Sequence, residues 1–304
     1  MFTLPLLILF LPLASFIILI FFGRKLPRQG DWVAVGSIVT TFFFALYLFI
    51  QMILVYEPDF SHGASFSWID LGAFKIELGI LVDNLTIIML LIVTLVSSCT
   101  HIFSLEYMKG DIRYSRYYAY LGLFTFSMNG IVLADNLISM YMSWELVGVS
   151  SYLLIGHWFE KDSAADASKK AFLTNRVGDI GFFIGIMLLY SAIGSFAFTP
   201  IFDSIATGKT IAGTALTFAG LGIFMGAIGK SSQFPLHIWL PDAMEGPTPV
   251  SALMHAATMV AAGVYMSVRL FPIFTPDALL VIAYIGAITA ILAALIAVTQ
   301  NDIK

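Results

Sequence analysis

Long apolar runs are the feature that most limits what this chain can fold into. A helix needs about 20 apolar residues to cross the hydrocarbon core of a bilayer. The 304-residue chain has nine runs of that kind, near residues 2–22, 32–55, 84–104, 117–134, 136–157, 171–194, 211–234, 249–272 and 278–299. The sequence therefore predicts an all-α polytopic membrane protein with about nine transmembrane helices.

Composition supports this class and excludes several others. Hydrophobic residues make up 59% of the chain and charged residues 11%, whereas soluble domains are about 25% charged. The net charge of −4 opposes nucleic-acid binding, which needs a basic surface. Cys99 is the single cysteine, so the chain alone has no disulfide or cysteine-ligated cluster. The five histidines lack carboxylates at ligand spacing, and we expect no metal and no cofactor on this chain.

Basic residues predict the orientation of the helices. Arg24, Lys25 and Arg28 follow the first run, and cytoplasmic loops are enriched in Lys and Arg. With loop 23–31 cytoplasmic and the N-terminus outside, ten basic residues fall in inside segments and three in outside segments. The longest outside loop, 56–83, has alternating polar and apolar residues on both sides of Gly72. This pattern predicts a hairpin-like loop, whereas segment 158–170 is predicted to be an inside loop.

The seventh predicted helix is interrupted by prolines. Pro235 and Pro241 follow Lys230 closely, and proline removes a backbone donor and clashes with the preceding turn. We expect a helix that breaks within the membrane and resumes as a short second half. Broken helices free backbone groups for polar cavities in transporters, so the break is a candidate functional region.

Two ionisable residues at membrane depth are the main candidates for function. Glu145 lies near the middle of the fifth predicted helix, and Lys230 immediately precedes the break. Charges in the bilayer cost about 2.5–3.5 kcal/mol on insertion scales, so each needs an explanation. If the two side chains pair, the lysine holds its proton when paired and releases it when separated. The alternative is a static buried ion pair.

Three further residues join this set. Arg176 and Asp179 stand three apart on one helix face, where they form either a self-neutralised pair or a field acting on Glu145. His255, in the eighth predicted helix, has a side chain suited to proton relay. His101 and His157 are expected at helix ends near the interface, and His237 lies in the broken region.

One long segment resembles a known family. Residues 226–260 read GAIGKSSQFPLHIWLPDAMEGPTPVSALMHAATMV, and MSWELVG at 142–148 and NRVGD at 175–179 support the same assignment. The chain resembles the antiporter-like proton-pumping subunits of respiratory complex I, and among them the branch of subunit L of NADH:quinone oxidoreductase. By this resemblance Glu145 pairs with Lys230, and His255 links to a central hydrophilic axis. Asp179 and Arg176 match charged positions that tune the pair.

The resemblance also implies an organisation in repeats. Family members are about twice as long as this chain, with two inverted five-helix repeats. Residues 1–110 would hold the first three helices, 111–272 the first repeat with helices four to eight, and 273–304 helix nine with the start of the second repeat. The second repeat is expected on a missing C-terminal half or on a separate chain.

The implied activity is redox-driven proton translocation without a redox centre on this chain. Quinone, NADH, flavin and iron–sulfur clusters are expected on other subunits of a NADH:quinone oxidoreductase, with further membrane subunits and the lipid bilayer as partners. The implied location is the bacterial inner membrane or an equivalent energy-transducing membrane. Two alternatives share the signature: the large subunit of an Mrp-type sodium/proton antiporter and the membrane subunit of an energy-converting hydrogenase. A purely structural scaffold leaves Glu145 and Lys230 unexplained.

Overall fold

Helices form most of the molecule. The structure, a computed structural model, describes residues 2–72, 75–208, 210–256, 258–302 and 304. Its helices are α1 (Thr3–Phe22), α2 (Asp31–Leu54), α3 (Asn84–Tyr107), α4 (Tyr114–Leu133), α5 (Leu137–Ile155), α6 (Asp162–Ile193), α7 (Phe198–Thr207), α8 (Gly213–Lys230), α9 (Thr248–Ala256), α10 (Met259–Arg269) and α11 (Pro276–Val298). Strands β1 (Ser61–Asp70) and β2 (Lys75–Asp83) separate α2 from α3.

The predicted all-α membrane fold is confirmed. Within the described residues, eight helical stretches are long and apolar enough to cross a membrane, with α9 and α10 counted as one stretch. Helix α4 is 20 residues long but less apolar, since its first two turns contain Tyr114, Tyr117, Tyr118 and Tyr120. It packs against α1, α3 and α5 and is buried along most of its length. Protein contacts shield its polar groups from lipid, and among the described residues the structure has eight apolar spanning stretches where the sequence predicted about nine.

The long loop 56–83, predicted to lie outside, contains the expected hairpin. Strands β1 and β2 pair antiparallel from Ser61 opposite Asp83 to Asp70 opposite Lys75, with an irregularity between Ser67 and Ile69. Gly72 adopts a φ of +79° in the connection, a conformation that glycine reaches without steric penalty. The remaining turn residues, 73 and 74, lie outside the described residues.

Two predicted segments differ from the structure. Segment 158–170 is not a loop, because α6 begins at Asp162 and runs for 32 residues. The segment was predicted as a loop because of its polar residues. Its main part belongs to an amphipathic helix in which Ala164, Ala167 and Ala171 face inward and are buried. At 1.5 Å per residue α6 is about 48 Å long, longer than the hydrocarbon core of about 30 Å. Helix α7 was also not predicted, because ten residues are too few to span a bilayer.

The predicted break after Lys230 is present, but the prediction that the helix resumes as a short second half is wrong. Helix α8 ends at Lys230, and Ser232 has a φ of +52°. The chain then forms two 3₁₀ turns, Leu236–Trp239 and Asp242–Glu245, in place of a resumed α-helix. Pro235 and Pro241 each precede one of these turns, where their missing N–H groups disrupt no helix.

The eighth predicted helix is interrupted too. The structure describes α9 to Ala256 and α10 from Met259, with residue 257 outside the described residues. The Thr258 hydroxyl donates to the Leu253 carbonyl at 2.7 Å, so a side chain satisfies a backbone acceptor next to the interruption. The proposed division at residues 110 and 272 remains a prediction.

Candidate functional site

Four charged side chains from three helices meet in the membrane-spanning part of the molecule. Glu145 lies on α5, Arg176 and Asp179 on α6, and Lys230 at the last residue of α8. Arg176 forms an ion pair with Glu145, and the Lys230 ammonium lies 3.8 Å from the Asp179 carboxylate. We call these four residues the inner cluster.

This pairing corrects two expectations. Glu145 and Lys230 were expected to pair directly. Instead Glu145 forms its ion pair with Arg176, and Lys230 forms its ion pair with Asp179. Arg176 and Asp179 were alternatively expected to neutralise each other along α6, but each binds across to another helix. All four residues were candidates from sequence, and the structure brings them together with different partners, which the rotation of three helices determines.

Close packing of α6 against α8 brings Lys230 to Asp179. A Cβ added at Gly178 would lie 2.7 Å from the Met225 carbonyl oxygen and 3.1 Å from the Gly229 Cα. The two backbones are therefore in contact one residue from each partner of the ion pair. Small residues at such crossings are how membrane helices approach closely, so the glycines of this region position the charges.

The space around the Lys230 ammonium is shaped by α5. A Cβ added at Gly148 would lie 2.7 Å from Nζ, and the ring of Trp144 lies 6.0 Å from it. The Trp144 indole N–H donates to the Asp179 carboxylate at 2.8 Å. Trp144 thus fixes the carboxylate while Gly148 leaves room for the ammonium.

The Lys230 charge is buried but weakly satisfied. The side chain is 1% exposed, and within the described residues its Nζ has no hydrogen-bond partner. Removing an ion from water costs several kcal/mol, which a pair offsets only with good geometry and further hydrogen bonds. At 3.8 Å the Asp179 carboxylate supplies attraction without a hydrogen bond. Within the described residues the ammonium is therefore held by charge attraction at 3.8 Å rather than by a hydrogen bond.

His255 lies beyond the broken region and is reached through Trp239. The Trp239 indole N–H donates to the Gly229 carbonyl at 3.0 Å, next to Lys230. Its ring centroid is 6.0 Å from that of His255. Both ring nitrogens of His255 are buried and, among the described residues, have no hydrogen-bond partner. The structure therefore places His255 next to the inner cluster through one bridging side chain rather than in direct contact.

The other histidines sit in different surroundings. His101 was expected at a helix end, but α3 continues to Tyr107 and His101 is buried, with Nδ1 2.7 Å from the Ser97 carbonyl. His157 lies in the 3₁₀ turn Gly156–Trp158 directly after α5, close to the predicted helix end, and is 3.2 Å from the Asp111 carboxylate. His237 lies in the first 3₁₀ turn, where the Ser232 hydroxyl donates to its carbonyl.

Comparison with known proteins identifies the family. The sequence model described as "NADH:quinone oxidoreductase/Mrp antiporter, TM" matches residues 134–304, more than half of the chain. The chain belongs to this family. A second model, described as "NADH-Ubiquinone oxidoreductase (complex I), chain 5 N-terminus", matches residues 68–118. The resemblance inferred from segment 226–260 is confirmed.

Curated relatives agree with this assignment. The chain is 49% identical over 249 residues to NAD(P)H-quinone oxidoreductase chain 5 of Synechocystis sp., covering 80% of this chain and 37% of the relative. It is 53% identical over 250 residues to the chloroplastic NAD(P)H-quinone oxidoreductase subunit 5 of Mesostigma viride, covering 79% and 37%. The chain spans little more than a third of the length of the relatives it matches.

Solved structures share the fold. A chain of the Mrp complex from Dietzia sp. matches 98% of this chain and 32% of its own length, with a TM-score of 0.85 and 26% identity. A chain of an archaeal membrane-bound sulfane sulfur reductase, a respiratory membrane complex, matches 89% and 53%, with a TM-score of 0.76 and 21% identity. The second likeness concerns the fold alone.

No role in the site was predicted from sequence for three residues, Trp144, Gly148 and Trp239. Trp144 and Gly148 were noted as neighbours of Glu145, and Trp239 as part of the signature. Gly148 follows Glu145 by three residues and therefore faces the same side of α5, which was a usable signal. The indole bonds of Trp144 and Trp239 were not predictable, because they depend on contacts between helices distant in sequence.

Proposed function

We propose that this chain forms part of a proton-translocating membrane subunit of an NAD(P)H:quinone oxidoreductase. The observation on which the proposal rests is Lys230, a fully buried lysine at the end of a broken helix, 3.8 Å from a carboxylate. The names of the curated relatives supply the redox partner reaction. The chain itself supplies charged groups that can hold and move a proton.

The proposed step is an exchange of ion-pair partners within the inner cluster. Lys230 keeps its proton while Asp179 neutralises it across 3.8 Å. Glu145 is held by Arg176 in this arrangement, and releasing Arg176 would free Glu145 to approach Lys230. A shift of Asp179 or Glu145 away from Lys230 leaves an unpaired buried charge, and the lysine then releases its proton.

His255 would accept protons that leave Lys230. The two residues flank Trp239, whose indole bonds the carbonyl next to Lys230 and whose ring lies against the His255 ring. Because both imidazole nitrogens lack partners among the described residues, either can accept a proton through water. The route from Glu145 to His255 would be the lateral path along which charge movement is coupled.

The same proposal includes the surroundings of the chain. We infer an energy-transducing membrane, with the N-terminus outside and loop 23–31 in the cytoplasm or its equivalent. Other membrane subunits would adjoin the chain, and helix α11 offers a surface for one, since no residue of its most apolar stretch is fully buried. Quinone, NADH, flavin and iron–sulfur clusters would belong to other subunits.

Substitution of Lys230 in the full complex tests the function. Lys230→Met keeps the apolar stem and removes the charge, and we expect at least a tenfold fall in protons translocated per electron. The complex is reconstituted into vesicles, and proton uptake and quinone reduction are recorded together. Lys109→Met is the control, because Lys109 is an exposed lysine that pairs only with Glu106 in the described structure. An unchanged proton yield in Lys230→Met contradicts the proposal.

A second candidate is the large subunit of an Mrp-type sodium/proton antiporter. The likeness to a chain of the Dietzia Mrp complex over 98% of this chain favours it. An antiporter works without electron donors, so proton movement driven by a sodium gradient alone would support this candidate. Proton movement that requires NAD(P)H oxidation supports the first.

A further inference from the structure

A cavity opens at the end of the molecule predicted to be cytoplasmic. It has a volume of about 240 Å³ and lies between the start of α4, the end of α5 and the first part of α6. Three cationic side chains line it, Arg113, Arg116 and Lys169, and the described lining residues include no carboxylate. The cavity therefore has a positively charged wall.

Its interior is aromatic and apolar. Tyr120, Tyr152 and Leu153 are among its lining residues. Tyr120 is six residues beyond the start of α4, about 9 Å along the helix, so the cavity reaches from the membrane surface into the spanning region. Tyr152 is 37% exposed on the outside of the bundle, where it adjoins lipid. The cavity combines a charged mouth with an apolar interior open to the bilayer.

The three cations differ in how well they are neutralised. Arg113 forms an ion pair with Glu160 and lies 4.3 Å from the Phe159 ring centre, so it is fixed and compensated. Lys169 pairs with Asp166 at 3.2 Å, but both side chains are more than 60% exposed, and such pairs contribute little. Arg116 is exposed and, in the described part of the chain, forms no ion pair or hydrogen bond with a carboxylate. Arg116 and Lys169 can therefore bind an external anion.

We propose that this cavity binds an anionic phospholipid of the surrounding leaflet. The phosphodiester would lie between Arg116 and Lys169, and an acyl chain would follow Tyr120 and Tyr152 into the bilayer. Basic pockets between membrane helices at the cytoplasmic side suit anionic head groups, and the guanidinium fork matches phosphate oxygens. A free phosphate ion would use the charged mouth alone, and the apolar interior would be unused.

Photocrosslinking of the complete complex tests this site. The probe is phosphatidylglycerol with a diazirine in its acyl chain, offered to the purified complex at subsaturating concentration in phosphatidylcholine nanodiscs. Labelled peptides are mapped by mass spectrometry, and we expect labels on the peptides that contain Tyr120 and Leu153. In R116Q/K169Q the labelling should fall by roughly fivefold for each charge removed, as expected for about 1 kcal/mol per basic residue near a membrane surface.

A matched variant distinguishes lipid binding in the cavity from general attraction of anionic lipid to surface charge. R24Q/K25Q also removes one exposed arginine and one exposed lysine from the predicted cytoplasmic side, outside the cavity, and labelling of Tyr120 and Leu153 should be unchanged. An equal loss in both variants, or no loss in R116Q/K169Q, overturns the proposal. So does equal labelling by a diazirine phosphatidylcholine. Displacement of the probe by millimolar inorganic phosphate as effectively as by unlabelled phosphatidylglycerol would overturn it in favour of a free phosphate site.

Discussion

The ion pairs Arg269–Asp83 and Lys230–Asp179 both involve residues of membrane-spanning stretches, and they are satisfied to different degrees. At the end predicted to face outside, Arg269 binds the Asp83 carboxylate and also donates to the Thr86 hydroxyl at 2.8 Å and the Tyr265 hydroxyl at 2.9 Å. We call these four residues the outer clamp. In the inner cluster Lys230 has Asp179 at 3.8 Å and, within the described residues, no hydrogen bond.

The difference separates a structural pair from a working one. A guanidinium whose donors are all directed at acceptors loses several charge-assisted bonds if it moves. The outer clamp also joins three parts of the chain, because Asp83 ends β2 and caps α3 while Arg269 ends α10. The Lys230 ammonium loses little when it leaves Asp179, provided that another carboxylate approaches. The inner cluster can thus exchange partners while the outer clamp keeps the helices in place.

The largest contrast is expected from removing one carboxylate in each region. Asp179→Asn leaves the Lys230 charge buried without a partner, and such changes cost about 3–5 kcal/mol. Asp83→Asn leaves the Arg269 side chain, which is 8% exposed, with its Thr86 and Tyr265 contacts and an amide oxygen that can still accept, so we expect a smaller loss of about 1.5 kcal/mol. Thermal unfolding of the purified complex, followed by thiol-reactive dye, measures both.

The same two variants should differ in function. Asp179→Asn is expected to depress the proton yield per electron, and Asp83→Asn to leave it unchanged. Equal losses of stability in the two variants would show that the inner pair is as well satisfied as the outer one. Equal losses of proton yield would remove the functional distinction between the regions.

The next effect comes from filling the space beside the Lys230 ammonium. In Gly148→Ala the new Cβ would lie 2.7 Å from Nζ, so the ammonium must move away from α5. The contact is with the end of a flexible side chain, so the fold should tolerate the change, and we expect a fivefold or greater fall in proton translocation from the displaced charge. Gly286→Ala on α11 is the control, because an added Cβ there meets nothing within 4 Å. Proton translocation at the normal rate in Gly148→Ala would mean that the ammonium does not need this space.

Hydropathy predicted the spanning helices because lipid exposure and chain length together dictate long apolar runs. It missed the first nine residues of α6, since Asp162, Lys169 and Lys170 are charged although the opposite face of the helix is buried. The hairpin was predictable from alternation around Gly72. The interruption near Thr258 was not, because Pro249 lies in the first turn of α9, where proline is tolerated, and no breaker stands next to the interruption itself.

The candidate site was predictable in membership and not in geometry. Charges are so unfavourable in a bilayer that Glu145, Arg176, Asp179 and Lys230 stood out without any structure. Which carboxylate faces which cation depends on the rotation and separation of α5, α6 and α8. A single sequence holds no direct record of those quantities.

A smaller effect is expected from the indole that fixes Asp179. Trp144→Phe removes the N–H bond to the carboxylate while it preserves an aromatic ring, and one hydrogen bond to a charged group contributes about 1.5–3 kcal/mol. We expect a several-fold lower translocation rate with normal quinone reduction in uncoupled vesicles. Trp158→Phe is the matched control, since its indole donates to the Asp111 carboxylate at 3.0 Å outside the inner cluster. A comparable loss in Trp158→Phe would indicate a general structural effect of indole removal.

The smallest expected effect is the response of the outer clamp to acid. Burial raises the pKa of Asp83, but the hydrogen bonds and charge of Arg269 outweigh it, so the pKa lies below its usual value. The clamp therefore contributes its full stability above the unfolded-state pKa of about 3.9, and this contribution is lost as the pH falls through the lower folded-state pKa.

Hydrogen exchange of the β2 amides should show that the outer clamp loses stability as the pH falls. Between pH 7 and pH 5 the protection factors should be constant after correction for intrinsic exchange, and below about pH 4 they should fall in the wild type. In Asp83→Asn they should be lower at neutral pH and lose this acid dependence, whereas Asp59→Asn, which removes an exposed carboxylate on the same side, should follow the wild type. A wild-type loss of protection already complete at pH 5 would mean that the Asp83 pKa is raised rather than lowered. The outer clamp would then be the less secure of the two pairs.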